Sequence, residues 1–106
     1  MKSSQAIPDG DLKILLGLFC EVPQLEKVIL YGSRAKGTNE LRSDIDLVTV
    51  GDEVDRHIIA ELLGLLVESD IAHIVDISRY EDISNQALLE HIDRVGITIY
   101  SGEIKK

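Results

Sequence analysis

Residues 31–47 read YGSRAKGTNELRSDIDL. An aliphatic run ends at Gly32, a polar cationic segment follows, and two aspartates one residue apart open the next apolar run. LEKVILYG, 25–32, reads as a buried strand ending at the glycine. SRAKGTNELRS, 33–43, holds Gly37 and Asn39 and reads as a turn of helix running into a loop. DIDLVTV, 44–50, alternates toward its apolar end and reads as a second strand.

Upstream, DGDLKILLGLFCEV sets Leu12, Leu15, Leu16 and Phe19 at helical spacing. This predicts a helix over about 9–21, capped by Asp9 or Asp11 and followed by Pro23. Downstream, DEVDRHIIAELLGLLVESD places Ile58, Leu62 and Leu65 on one stripe with Ile59, Leu63 and Leu66 beside it, an amphipathic helix with a broad apolar face. IAHIVDIS reads as a third strand, and SRYE at 78–81 has the form of a capping box. ISNQALLEHIDRVG predicts a last helix closed by Gly96, and ITIY a fourth strand. The terminal EIKK is expected to fray.

Strands two and three flank a long helix, which implies a parallel crossover. Strands one and two, joined by about a dozen residues, can pair antiparallel. The expected class is therefore α/β (α+β): a mixed four-stranded sheet with helices packed on it, as one domain over residues 1–106.

The bulk numbers restrict function. An apolar fraction of 44% suits a folded domain, and no run approaches the roughly 18 apolar residues of a membrane span. MKSSQAIPDGDL lacks the apolar core of a signal peptide. The single Cys20 cannot form an internal disulfide, which fits a reducing, cytoplasmic setting. It follows Leu16 by one helical turn, so a half-buried packing role is expected. A net charge of −8 argues against direct nucleic-acid binding. It favours a basic protein partner or a metal-bound phosphate compound. His57, His73 and His91 do not cluster at metal-ligand spacing and receive no catalytic role; His73, just before a core strand, reads as structural.

Asp44 and Asp46 carry the first chemical signal. Strand alternation puts them on one face, roughly 7 Å apart along the strand. Two such carboxylates repel each other and resist ionisation unless a divalent cation intervenes, and hard oxygen ligands suit Mg²⁺ or Mn²⁺. With ten Asp in 106 residues, about one Asp-x-Asp arises by chance, and Asp9 with Asp11 supplies such a match. A third carboxylate adds weight. Asp76 lies between Val75 and Ile77, whose β-branched side chains predict burial, where a lone Asp is costly unless paired or metal-bound. A hydrogen bond to a backbone amide or to Arg79 is the alternative.

Gly32 and Ser33 carry the second signal. Free amides at a helix start bind anions, and Gly lets a phosphate approach closely. The Ser33 hydroxyl can donate to phosphate, and Arg34, Lys36 and Arg42 bring positive charge. The alternative is a plain strand-to-helix turn with solvated basic residues. Taken together, the amides and hydroxyl would hold β- and γ-phosphates, and Asp44 and Asp46 a metal bridging them. Asp76 would bind a second metal and take, or acidify, the acceptor's proton.

At these residues the sequence resembles the polymerase-β-type nucleotidyltransferase superfamily. That signature is Gly-Ser, about ten residues, then Asp-x-Asp, with a third carboxylate on a later strand. Gly32-Ser33, the ten residues Arg34 to Ser43, and Asp44-Ile45-Asp46 match it. Asp76 carries over as the third carboxylate by its strand and its Val-Asp-Ile setting. The small size and closing GITIY resemble the minimal nucleotidyltransferases, and the likeness covers about residues 25–100. The resemblance implies Mg²⁺ (or Mn²⁺) as cofactor and ATP as substrate. It implies AMP transfer onto a small helical HEPN-like partner, as the antitoxin of a toxin-antitoxin pair. Larger superfamily members add domains that complete the substrate site; here the base and acceptor sites are expected to be incomplete or completed by another chain, and a homo-oligomer is a further possible assembly. Two alternatives stay open: a non-catalytic binding antitoxin, and a small-molecule nucleotidyltransferase.

Overall fold

The run ending at Gly32 forms β1, Lys27–Tyr31, and the run opened by the aspartates forms β2, Ile45–Val50. A computed structural model of the chain describes residues 6–40 and 42–102; the terminal EIKK lies outside them. Ahead of β1 runs helix α1, Asp9–Cys20, and between β1 and β2 a single helical turn, α2, Ser33–Lys36. Helix α3, Arg56–Val67, crosses over to β3, Val75–Arg79. A 3₁₀ turn, Tyr80–Asp82, leads through Asn85 to α4, Gln86–Val95, and β4, Ile97–Ser101, closes the order.

The strands lie in the order β3-β2-β1-β4. β2 and β3 are parallel, as a helical crossover requires, and β1 is antiparallel to both β2 and β4. The expected mixed four-stranded sheet is thus observed.

Alternation gives the sheet two faces. Val28, Leu30, Ile45, Leu47 and Ile77 face α1 and α3 and form the main core with Leu15, Phe19, Ile58, Leu62 and Leu66. On the other face Val48 of β2 and Ile92 of α4 are buried outside that cluster, and α4 packs on β1. Because α4 sits over the β1 side, the same face of the edge strand β3 stays open to water. That position explains why Asp76 is exposed, against the expectation of burial. Its β-branched neighbours Val75 and Ile77 point to the other face.

The helix ends differ from the sequence reading. Pro8 takes the N-cap of α1 without a side-chain cap. Asp11 instead turns inward, 6% exposed, accepts the Ala72 N–H at 3.1 Å and pairs with His73 Nδ1, tying α1 to the approach of β3. α3 starts from Asp55, which accepts the Ile58 N–H, and α4 from Asn85, which accepts the Leu88 N–H. Ser78 caps nothing; Arg79 holds the N-cap of the 3₁₀ turn and pairs with Asp82 at 3.0 Å. Cys20 is exposed, because Leu15 and Phe19 take the buried stripe one row over. On α3 the buried row is Ile58-Leu62-Leu66, and Leu63 is left exposed. No described helix is long and apolar enough to cross a membrane.

Candidate active site

Strand register builds the site. Tyr31 on β1 stands opposite Asp46 on β2, and Asp46 stands opposite Asp76 on β3. Opposed residues in a sheet share a face, so the three side chains form one row across the open face. Asp44 is exposed, just ahead of β2, two residues before Asp46.

The row is electrostatically strained. Partial burial pushes the Asp46 carboxyl above its ordinary range, and the charges of Asp76 and then Asp44 push it further. Burial also raises the Tyr31 phenol, with Asp46 and Asp76 adding to the shift, while a hydrogen bond with the Ser78 side chain opposes it. Hard oxygen donors crowded until one resists ionisation are the donor set that a divalent cation relieves. Among the described residues, however, no three Asp, Glu, His or Cys side chains converge closely enough to hold a metal ion.

This strain makes a prediction for the metal-free protein. A folded-state pKa above the unfolded one means that ionising Asp46 costs stability as pH rises through the carboxylate range. Asp46→Asn should therefore stabilise the metal-free chain at neutral pH by about 0.5 kcal/mol, discounted for exposure. That corresponds to roughly 2–4 °C in Tm. The gain should vanish well below about pH 4, where the wild-type carboxyl is protonated in both states. Thermal melts at the two pH values check it.

The Gly-Ser loop lies directly against this row. Gly32 is the N-cap of α2 at φ 80°, ψ −158°, and a Cβ built on it would run into Asp46 Oδ2. Ser33 begins α2, and its carbonyl accepts the Thr38 N–H at 3.0 Å, closing the turn. The Gly32 N–H donates to His91 Nε2 at 3.1 Å, and the His91 ring meets Tyr31 edge-on at 6.3 Å. The structure thus brings together Gly32, Ser33, Asp44, Asp46 and Asp76, and adds Tyr31, Ser78 and His91.

The basic residues are placed differently. Arg34 is 3% exposed. Its guanidinium donates to the Ala6 carbonyl at 2.8 Å and the Ser43 carbonyl at 3.0 Å. It clamps the α2 turn to the loop that delivers Asp44. Lys36 lines a cavity of about 390 Å³ with Ala6, Arg34, Ala35, Asn39 and Ile97, on the side of the main core. Arg42 is exposed in the loop before β2. Arg34→Met should strand the two carbonyls at a cost of about 1–3 kcal/mol. Calorimetric melting would read this as a Tm drop of about 4–8 °C per kcal/mol.

A family model described as Polymerase beta, Nucleotidyltransferase matches residues 15–105. The chain belongs to this nucleotidyltransferase family. No curated protein matches it. Among solved structures, this nucleotidyltransferase is similar to a toxin-antitoxin with AMP-PNP: 22% identity over 90% of this chain and 77% of that one, TM-score 0.63. It is similar to a chain from the tri-AMPylated Shewanella oneidensis HEPN toxin in complex with MNT antitoxin: 18% identity over 99% and 76%, TM-score 0.61. It is also similar to a chain from the toxin-antitoxin MntA-HepT: 18% identity over 90% and 74%, TM-score 0.59. At these identities the likeness is one of fold.

Proposed function

We propose that this nucleotidyltransferase moves a nucleoside monophosphate, AMP from ATP, onto a hydroxyl of a small helical partner of the HEPN class. In that role it is the cytoplasmic antitoxin of a toxin-antitoxin pair. The observation that carries this reading is the Gly-Ser loop seated against Asp46 in one row with Asp76. A triphosphate held at such a loop has its reacting end beside the carboxylates.

The chain's residues divide the work. Gly32 and Ser33 bind and orient the β- and γ-phosphates. Asp44, Asp46 and Asp76 would hold Mg²⁺ or Mn²⁺, with the remaining ligands coming from substrate or water. When bound, the cation supplies charge neutralisation at the phosphates and at the attacking oxygen. The acceptor oxygen attacks the α-phosphorus, the bond to the β-phosphate oxygen breaks, and pyrophosphate leaves. Asp76, exposed on the edge strand, takes the hydroxyl proton. Arg34 is a positioning residue through its clamp on Ser43, and Lys36 and Arg42 contribute background positive charge.

Partner choice follows from charge and from the open face beside β3. A net charge of −8 steers a basic protein toward the site and makes association fast and salt-sensitive. The neighbours solved with HEPN toxin support the class of partner. That no three metal-binding side chains converge among the described residues favours a second reading, a binding antitoxin without catalysis. Intact mass of a helical HEPN-like protein encoded beside this chain separates the two, after incubation with the chain, ATP and Mg²⁺. A gain of one or more AMP groups is expected. An unmodified partner, equally well inhibited by Asp44→Asn with Asp46→Asn, would establish the binding antitoxin instead.

A further inference from the structure

The contact that neither the family signature nor the carboxylate chemistry calls for is the one from α4. His91 lies 59 residues from Gly32 in sequence, yet its Nε2 accepts the Gly32 N–H at 3.1 Å. That amide belongs to the loop read above as the phosphate cradle. A neutral imidazole acceptor stands there in the nucleotide-free protein, where a phosphate oxygen would stand in the complex. Both cannot accept the same proton at once.

The ring is held beside the loop. Ile92, the next residue on α4, is 2% exposed and anchors that turn of helix. The Tyr31 ring meets the imidazole edge-on. The Gly32 loop itself is pressed against the Asp46 carboxylate. A phosphate oxygen taking the Gly32 amide would therefore arrive beside Nε2. An imidazole that carries its proton on Nε2 is then a donor to that same oxygen. Such a donor is needed here. The three aspartates repel a polyphosphate, the Arg34 guanidinium serves the Ala6 and Ser43 carbonyls, and Lys36 lines the cavity on the core side.

We propose that His91 is a phosphate-positioning residue of this nucleotidyltransferase. It caps the Gly32 amide when the site holds no nucleotide, and donates from Nε2 to the β- or γ-phosphate when the triphosphate binds. The inference rests on the reading of the Gly-Ser loop as a triphosphate cradle. It assigns that cradle a wall from α4, so the last helix is a working part of the nucleotide site as well as a cover for the sheet.

Two substitutions separate hydrogen bonding from packing. His91→Phe keeps the aromatic contact with Tyr31 and removes the nitrogen. His91→Gln offers an acceptor and a donor at similar reach. Calorimetric titration with ATP at saturating Mg²⁺ should show about tenfold weaker binding for His91→Phe and near-wild-type binding for His91→Gln. In turnover the loss should fall on KM for ATP, with kcat little changed. Equal binding by wild type and His91→Phe overturns the proposal. Tighter binding by His91→Phe also overturns it, because the imidazole would then be a plug that phosphate must displace. Wild-type binding that Asp44→Asn with Asp46→Asn abolishes, alongside an unaffected His91→Phe, leaves the proposed function standing and removes this inference alone. Absence of Mg²⁺-dependent ATP binding by the wild type removes both.

Discussion

Gly32→Ala is expected to damage both the fold and the proposed site. Two independent costs meet at this position. Its backbone, at φ 80° and ψ −158°, lies in a region that L side chains rarely adopt, worth about 1–3 kcal/mol of strain. The added Cβ also meets Asp46 Oδ2, so the partly buried carboxylate would have to turn away from the loop. Either the loop or Asp46 must move, and both belong to the proposed site. The expected result is a Tm lower by about 10 °C or more, with Mg²⁺-dependent ATP binding lost. Gly37→Ala is the control. Gly37 also has positive φ, at 81°, but open space where the Cβ would go. It should cost only the left-handed backbone penalty of about 1–2 kcal/mol and leave nucleotide binding nearly intact. Thermal melts and ATP titration of the pair measure the difference, which reports the Asp46 collision. Equal losses of ATP binding in the two variants would show that the approach of Gly32 to Asp46 has no functional weight.

The second large effect is expected from Asp44→Asn combined with Asp46→Asn. In the wild type, Mg²⁺ with ATP should stabilise the fold more than either alone. The gain is about 2.7 kcal/mol when the complex is at a hundredfold excess over its Kd. Each charge-assisted ligand contributes about 1.5–3 kcal/mol, so removing two weakens binding by at least two orders of magnitude. The Mg²⁺-dependent part of the thermal shift should disappear. In the absence of ligand the same double variant should melt slightly higher than wild type, because the repulsion that raises the Asp46 pKa is gone. A variant that is more stable alone and unresponsive to Mg²⁺ with ATP distinguishes a lost site from a damaged fold. An unchanged shift would place the metal elsewhere.

The parts of this arrangement that were legible in the sequence are those fixed by local rules. The run ending at Gly32, the alternating run opened by Asp44 and Asp46, and the long helix between β2 and β3 fixed the pairing directions. A parallel β2–β3 pair brings Asp76 beside Asp46. What stayed hidden depends on tertiary placement. Arg34, in a polar segment, reads as positive charge for a bound phosphate, and its burial depends on carbonyls of Ala6 and Ser43 converging from two other segments. Asp76 reads as buried from its neighbours, and its exposure depends on α4 covering β1 and leaving the edge strand bare. His91 sits on a helix whose apolar stripe is carried by other residues, and no spacing rule links it to a glycine 59 residues away. Tyr31 was within reach: with β1 and β2 antiparallel across the loop, alternation alone sets it on the face of Asp46.

Nucleotidyl transfer is tested most directly by following the two ends of ATP. The chain is incubated with Mg²⁺ and a helical HEPN-class protein, using ATP radiolabelled at either the α- or the γ-phosphate. Label on the partner should come from the α-position alone, with the γ-label leaving in pyrophosphate, and Asp44→Asn with Asp46→Asn should abolish the transfer. Label on the partner from the γ-position, or no label from either, would contradict it.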